Sequence, residues 1–265
     1  MRLVSLNIQS GAQSPRFLKY IRRQKKTADI FCFQEVFDST ASQRIKGEGY
    51  TNIFSQLKNE LKGFVPHFYP VSNTAGEYFK LKSKVVLGLA IFAKKGIAVG
   101  RHFGRHVCGQ VNAAVDFEIG KESNGVQCLE ILGDGGGFWL MNFHGQSRPG
   151  DKLDTPKRIK QSKILSGILK KISGPKILCG DCNLMPKTQS IKIIERTGMV
   201  NLISKYKIKN TRNSVSWERY NNRQHFADFT FVTPDIKVKN FKVPYTLASD
   251  HLPMVMGFKI ERLKD

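Results

Sequence analysis

Residues 177–186 read ILCGDCNLMP, a short apolar run that ends in Asp181 and Asn183. Two cysteines, Cys179 and Cys182, are separated in it by two residues, a spacing typical of zinc sites and of redox pairs. The stretch is therefore open to two interpretations. Either the cysteines carry the chemistry, or they are incidental and the chemistry belongs to the polar residues at the end of a strand.

The rest of the chain does not support a cysteine site. Structural zinc usually needs four ligands, commonly supplied as paired CxxC units, and no second Cys/His pair has that spacing. The chain has five cysteines and no signal-peptide pattern, which predicts reduced thiols. We therefore expect neither zinc nor a redox pair at 177–186.

Length and composition predict one globular domain over residues 1–265. Hydrophobic residues make up 40% of the chain and charged residues 24%, an ordinary balance for a soluble protein. No apolar run approaches the roughly 18 residues that cross a bilayer. We expect a cytoplasmic protein without membrane association and see no sign of an obligate protein partner.

Charge is the unusual feature of the composition. The chain has 43 Lys and Arg against 21 Asp and Glu, a formal net charge of +22. Such an excess attracts polyanions and makes binding depend on salt. The basic residues cluster in RRQKK (22–26), PKRIKQSK (156–163) and KYKIKNTR (205–212). We expect nucleic acid or another polyanion as partner; the alternative is that scattered lysines only keep the protein soluble.

Short apolar runs rich in β-branched residues predict more strands than helices. The predicted strands are 2–8, 29–35, 85–93, 111–119, 127–132, 138–144, 176–181, 226–232 and 252–260. Ser or Thr before an apolar pattern predicts helices at 14–25, 155–172 and 188–197, and GDGGG (133–137) predicts a turn between antiparallel strands. Because strands and helices do not strictly alternate, this pattern favours sheet packed on sheet with helices outside.

The predicted helix at 155–172 begins with cations, Lys157, Arg158 and Lys160, where the helix dipole is already positive. A bound anion would relieve this repulsion; alternatively, exposed side chains simply tolerate it. Lys157 and Arg158, together with Arg148, are our candidates for substrate contacts.

Polar residues recur where the apolar runs end. They are Asn7, Gln34, Glu35, Asn142, His144, Asp181, Asn183, Asp228, Ser249, Asp250 and His251. Such residues on elements far apart in sequence predict strand ends that converge on one face. The prediction places all of the chemistry there.

Oxygen ligands and a base form one half of this set. Glu35, helped by Asn7 and Asp250, offers hard oxygen atoms suited to Mg²⁺, or alternatively Mn²⁺. Asp181 is placed to take a proton from a water.

Donors for a developing charge form the other half. Asn183 and His144 can donate to a phosphoryl oxygen, and His251 paired with Asp228 provides an oriented imidazolium. The whole set has the parts of a hydrolytic phosphodiesterase: a metal, a water-activating base and donors.

The motifs LNIQ, FQEVF, NFHG, GDCN, FADFTFV and SDHLP occur in the order and spacing of the endonuclease/exonuclease/phosphatase superfamily, which the chain resembles from Met1 to about Lys259. That superfamily includes nucleases, deadenylases, tyrosyl-DNA phosphodiesterases, inositol polyphosphate phosphatases and sphingomyelinases. The run DTPKRIKQSKIL…GPKILCGDCNL is similar to uncharacterised bacterial members. The resemblance implies an α/β (α+β) fold, a four-layer α/β/β/α sandwich of two mixed β-sheets flanked by helices.

The resemblance also implies a role for each carboxylate. Glu35 is the principal metal ligand with Asn7 nearby, Asp250 lies beside the metal or its waters, and Asp181 positions or deprotonates the attacking water. The family pattern Gly-Asp-x-Asn leaves Cys182 at the variable position, so the cysteines of 177–186 are expected to be incidental.

The donors follow from the same resemblance. Asn183 contacts the phosphate, and His251, held by Asp228, stabilises the pentavalent phosphoryl group or shuttles a proton. His144 lies where deoxyribonuclease-like and deadenylase-like branches place a phosphate-contacting histidine, whereas abasic-site endonucleases usually have asparagine. We expect a Mg²⁺-dependent phosphodiesterase acting on DNA or RNA; the alternatives are a phosphatase of a nucleotide or inositol phosphate, and a non-catalytic polyanion binder.

Overall fold

A computed structural model of the chain describes residues 1–73, 75–109, 123–133, 136–220 and 224–260. Its helices are α1 (Arg16–Gln24), α2 (Ile53–Glu60), α3 (Ala75–Tyr78), α4 (Pro156–Lys171), α5 (Gln189–Glu195), α6 (Leu202–Lys205) and α7 (Ser214–Tyr220). Its strands are β1 (Arg2–Asn7), β2 (Ile30–Asp38), β3 (Arg44–Ile45), β4 (Gly49–Tyr50), β5 (Phe64–Ser72), β6 (Val86–Lys94), β7 (Val99–Cys108), β8 (Asn124–Ile131), β9 (Phe138–His144), β10 (Lys176–Asp181), β11 (Val200–Asn201), β12 (Asp228–Val232), β13 (Ile236–Lys242) and β14 (Met254–Ile260).

Two six-stranded sheets form the centre of the fold. Their strand orders are β13-β14-β1-β2-β6-β5 and β11-β12-β10-β9-β8-β7, and β3 pairs with β4 in a separate hairpin. The parallel pairs β1/β2 and β9/β10 lie at the middle of the two sheets. All other described strand pairs in the two sheets are antiparallel. The predicted sandwich of two mixed sheets with helices is confirmed.

The central strands are buried on both faces, which explains their nearly continuous apolar sequences. In β1, Leu3 belongs to the apolar cluster that contains residues of both sheets and of α4. The next residue, Val4, belongs to a second cluster with Phe17 of α1 and Leu57 of α2. Cys179 and Cys182 are buried members of the first cluster, where cysteine packs as a small apolar side chain.

The capping signals predict three of the described helices, α1, α4 and α5, to within about two residues, and do not predict α2, α3, α6 or α7. Thr155 caps α4 by accepting a hydrogen bond from the Arg158 backbone amide at 3.2 Å, and proline occupies the first helical position. α5 begins after Thr188 as predicted, and α1 begins at Arg16 rather than at 14 because Pro15 stands at the cap position. None of the described helices is long and apolar enough to cross a membrane.

Two predicted features touch residues that the structure does not describe. The strand at 111–119 lies outside the described residues, as do residues 134–135 of the predicted glycine turn. The strands on either side of that turn, β8 and β9, are antiparallel, with Ile131 opposite Phe138.

Candidate active site

The central strands of both sheets end at one edge of the sandwich. In the second sheet Asp181 is the register partner of His144 and of Asp228, so three neighbouring strands present these side chains side by side. In the first sheet Asn7 is opposite Gln34, and Glu35 follows directly. The convergence of strand ends on one face therefore occurs as the sequence predicts.

A bulge in β2 directs Glu35 toward the second sheet. The pairing of β2 with β6 shifts between Phe33 and Val36, and Glu35 adopts a left-handed backbone conformation with φ of 53°. Ser10 donates a hydrogen bond from Oγ to the Glu35 carbonyl at 2.9 Å. Bulges commonly redirect a side chain at the end of a sheet in this way.

Asn7 joins the two carboxylates. Its Nδ2 donates to Glu35 Oε1 and to Asp181 Oδ2, both at 2.9 Å, and its Oδ1 accepts from the Gln9 backbone amide at 3.1 Å. Because an NH₂ group cannot ligate a metal ion, Asn7 in this orientation positions the carboxylates. Its contact with a metal stays a prediction.

Glu35, His144 and Asp181 form what we call the open cluster. The His144 Nε2 atom lies 3.6 Å from Glu35 Oε1 and 3.8 Å from Asp181 Oδ2, longer than hydrogen bonds. Among the described residues this buried nitrogen has no hydrogen-bond partner, and one ligand atom from each residue lies within 4.8 Å of the others. The two carboxylates that face this space supply hard oxygen donors, which fit a divalent metal ion.

Asp181, Asp228 and His251 form the buried cluster, and each is at most 3% exposed. His251 Nδ1 lies 2.8 Å from Asp228 Oδ2, and its Nε2 lies 3.6 Å from Asp181 Oδ2. Burial alone would lower the pKa of His251, but the carboxylates of Asp228, Asp250 and Asp181 raise it to about 9. The imidazole is therefore protonated at neutral pH, with Nε2–H facing Asp181.

Asp181 is the residue shared by both clusters. Burial would raise the pKa of its carboxyl group, but the neighbouring His251, His144, Lys152 and Arg212 lower it to about 2. Asp181 is thus ionised throughout the neutral range. Such a carboxylate is a weak base, so it suits the orientation of a water better than removal of its proton.

Asp250 lies beside the Arg212 guanidinium and the His251 ring of the buried cluster. Its Oδ2 is 3.4 Å from the Arg212 guanidinium, its Oδ1 accepts from Ser249 Oγ at 3.1 Å, and His251 Nε2 is 3.9 Å away. Asp250 is therefore a partner of Arg212, and the described potential metal clusters do not include it. Its contact with a metal or its waters stays a prediction.

Asn183 lies beside Asp181, as predicted. Its backbone amide donates to Asp181 Oδ1 at 2.8 Å, and its side-chain Nδ2 donates to the Gly145 carbonyl at 2.9 Å. Its Oδ1 accepts from Lys152 Nζ. The side chain therefore has a fixed orientation, with oxygen toward the lysine.

Both clusters border a cleft of about 210 Å³. Its walls include four cationic side chains, those of Arg148, Lys152, Arg212 and Arg219. Of these, only Arg148 is among the predicted substrate contacts. Cationic side chains thus stand beside the carboxylates in the wall of the cleft.

Arg158 corrects the prediction of a substrate contact. It is fully buried, and its guanidinium donates to the carbonyls of Ser147 at 3.1 Å and Leu153 at 2.6 Å, as well as to those of Gln146 and Pro149. Arg158 therefore holds the connection between β9 and α4. Lys157 is exposed at the start of α4, and the described residues that line the cleft do not include it.

Sequence patterns missed Lys152, Arg212 and Arg219 as cleft residues. None of the three ends an apolar run, which is the signal that identifies the other site residues. Two polar strand residues that have that signal lie between the sheets instead: Gln34 Nε2 donates to Asn142 Oδ1 at 2.6 Å. This buried pair links the sheets and does not face the cleft.

Comparison with known proteins agrees with this fold. A model of the endonuclease/exonuclease/phosphatase family matches residues 4–251. The chain is similar to an endonuclease/exonuclease/phosphatase from Beutenbergia cavernae (TM-score 0.74, 17% identity), with 98% of this chain and 72% of that one covered. No curated protein sequence matches it significantly.

Two further similar structures have more specific descriptions. One is a mannosyl-6-phosphatase from Bacteroides thetaiotaomicron (TM-score 0.68, 16% identity), covering 98% of this chain and 100% of that one. The other is the human Nocturnin catalytic domain with a bound sulfate anion (TM-score 0.66, 19% identity), covering 98% of this chain and 93% of that one. At these identities the similarity is evidence for the fold alone.

Proposed function

This chain belongs to the endonuclease/exonuclease/phosphatase family, whose members are hydrolases acting on phosphoesters, and we propose that it is a Mg²⁺-dependent phosphodiesterase acting on nucleic acid. The observation that carries the proposal is the position of Asp181. One of its neighbours is the unpartnered His144 nitrogen beside Glu35, and the other is the His251 imidazolium. A metal ion held by Glu35 and Asp181 would thus share one carboxylate with a cationic donor.

Glu35 and Asp181 would hold the divalent ion, Mg²⁺ or alternatively Mn²⁺. When bound, such an ion polarises a phosphoryl oxygen and lowers the pKa of a coordinated water. Asp181 orients the attacking water, since its pKa of about 2 makes it a poor proton acceptor. His144 faces the same space with Nε2 and binds a phosphoryl oxygen.

The donors on the other side stabilise charge on the phosphoryl group. His251 donates from Nε2, and Asp228 holds the ring through Nδ1 at 2.8 Å. Asn183 contributes one of its two amide protons, because the other is used by Gly145. Preorganised donors of this kind are worth about 10²–10³-fold each in rate.

The charge of the protein favours nucleic acid as substrate. The net charge is +22, and four cationic side chains border the cleft. We infer a single-domain enzyme that acts in the cytoplasm. The second candidate is a phosphatase of a small phosphomonoester, because the similar mannosyl-6-phosphatase has that kind of substrate.

A cleavage assay separates these candidates. Labelled single-stranded DNA, double-stranded DNA, RNA and a sugar phosphate are incubated with Mg²⁺, Mn²⁺ or EDTA, using the wild type, Asp181→Ala and His251→Ala. Glu60→Gln is the matched control, because Glu60 forms an exposed ion pair with Arg22 away from the cleft.

Metal-dependent cutting of nucleic acid that both site variants lose, and the control keeps, supports the nuclease. Turnover of the sugar phosphate alone, with the same metal and residue dependence, supports the phosphatase. If the protein binds DNA or RNA but turns over none of the substrates, both candidates are overturned and the protein is a polyanion binder.

A further inference from the structure

Lys152 is a buried lysine at the wall of the cleft. It is only 7% exposed and adopts a left-handed backbone conformation with φ of 62°, which is uncommon for a residue with a side chain. Its Nζ donates to Asn183 Oδ1, next to Asp181. Strained backbone and a desolvated charge both oppose folding, so other contacts must hold Lys152 in place.

The segment 146–154, which we call the strap, supplies those contacts. The guanidinium of Arg158 binds four of its carbonyl groups from one side. At its other end, the Asp154 carboxylate accepts from the backbone amides of Gln189 at 2.6 Å and Ser190 at 2.9 Å. Between these anchors, the Lys152 carbonyl accepts from the Met185 amide at 2.9 Å. The strap is thus fixed on both sides of the lysine.

Holding Asn183 does not by itself require a lysine. A neutral amide or hydroxyl donor would satisfy Asn183 Oδ1 without burying a positive charge. The ammonium group has three N–H donors, and the Asn183 oxygen uses one. The Asp181 and Asp228 carboxylates favour a cation at this position, and an anion bound at the same wall of the cleft would favour it as well.

The charges around Lys152 leave it available for such an anion. Burial, Arg212 and Arg158 lower its pKa to about 8, while Asp181 and Asp228 act in the opposite direction. The ammonium form still predominates at neutral pH. The two arginines that repel it are themselves bound, Arg212 to Asp250 and Arg158 to the strap.

We propose that Lys152 is a catalytic residue that binds a non-bridging oxygen of the reacting phosphate while it fixes the Asn183 amide. The proposal rests on the proposed phosphoester hydrolysis. Lys152 holds the Asn183 oxygen, so the Asn183 NH₂ group is turned toward Gly145 and the phosphate. One side chain thereby supplies a charge and orients a second donor.

The test compares Lys152→Met with Lys152→Arg, which keeps the charge, and with Lys170→Met, which removes an exposed charge from α4. Binding of inorganic phosphate is measured by calorimetry in Mg²⁺, and kcat and KM are measured on the substrate that the wild type hydrolyses. Thermal unfolding checks each variant, and Lys152→Gln, which keeps a donor for Asn183, replaces Lys152→Met if that variant does not fold.

We expect Lys152→Met to lose about 10- to 100-fold in phosphate affinity and in kcat/KM, the usual worth of a charge-assisted hydrogen bond. Lys152→Arg retains most of both, and Lys170→Met matches the wild type. Phosphate affinity within twofold of the wild type in folded Lys152→Met and Lys152→Gln would overturn the role of Lys152 alone. A wild type that hydrolyses no phosphoester would instead overturn the proposed function.

Discussion

The open and the buried cluster share Asp181 but differ in what neutralises their carboxylates. In the open cluster, Glu35 keeps 30% of its side chain exposed and the nearest His144 nitrogen has no hydrogen-bond partner among the described residues. In the buried cluster, the protonated His251 lies between Asp228 and Asp181 and supplies a positive charge within the protein.

This difference indicates which of the two clusters binds a metal ion. A metal ion in the buried cluster would have to displace a proton from an imidazole whose pKa is raised to about 9, because only neutral imidazole ligates metals. The open cluster has two carboxylates and no cation of its own between them. We therefore assign the metal to the open cluster and the donor proton to the buried one.

Removing the shared residue should have the largest effect. Asp181→Asn keeps the shape of the side chain but takes the charge from both clusters, so we expect kcat to fall about 10³-fold or more. Steady-state kinetics at saturating Mg²⁺ measures this, with Glu60→Gln as the control. A decrease in kcat of less than tenfold would contradict the proposal that both clusters act through Asp181.

A change in the buried cluster should reduce rate without changing metal binding. His251→Gln removes the cationic donor, and we expect kcat to fall about 10²–10³-fold. Calorimetric titration with Mn²⁺ should give an affinity within twofold of the wild type. A marked loss of Mn²⁺ affinity would mean that the ion also occupies the buried cluster.

The matching change in the open cluster should act on the metal. Glu35→Gln removes a hard anionic ligand, so Mn²⁺ affinity should fall by at least about tenfold. Even the loss of a residue that only supports a metal ligand costs that much affinity. The same calorimetric titration measures it. If Glu35→Gln binds Mn²⁺ as tightly as the wild type, the metal lies elsewhere.

The smallest effect concerns the pH dependence of stability without metal. Since the folded pKa of His251 is about 9 against 6.5 when unfolded, its contribution is complete below pH 6.5 and declines as pH rises toward 9. Above about 8, Lys152 begins to act in the opposite direction, because its folded pKa is lowered from 10.5. The clearest window is therefore pH 6.5 to 8.

Urea unfolding in EDTA across this window tests the prediction. The free energy of unfolding of the wild type should fall more steeply than that of Asp228→Asn, by up to about 1.4 kcal/mol per pH unit. Comparing slopes removes any constant loss of stability in the variant. Equal slopes would mean that Asp228 does not hold the proton on His251.

Much of the fold could be predicted because its central strands are buried on both faces, which produces long apolar runs such as 85–93 and 138–144. The edge strand β7 could not, since half of its residues are exposed and only one is buried. β13 has lysines among its apolar residues, as edge strands often do. The hydrophobic pattern of β7 and β13 is too weak to predict them as strands.

The site likewise contains residues that the sequence pattern finds and residues that it misses. Glu35, Asp181 and Asp228 lie at the ends of buried strands, so a pattern local in sequence finds them. Lys152 and the role of Arg158 depend on the strap, whose path is set by contacts between a helix and a connection without periodicity. An arginine in the polar first turn of a helix is expected to be exposed, whereas this one is fully buried.

The most direct test of the account is the hydrolysis rate as a function of Mg²⁺ concentration for the wild type, Glu35→Gln and His251→Gln. We predict that Glu35→Gln needs at least about tenfold more Mg²⁺ to reach half of its maximal rate. His251→Gln should keep the wild-type midpoint and reach a plateau about 10²–10³-fold lower. Equal shifts of the midpoint in both variants, or hydrolysis that persists in EDTA, would contradict it.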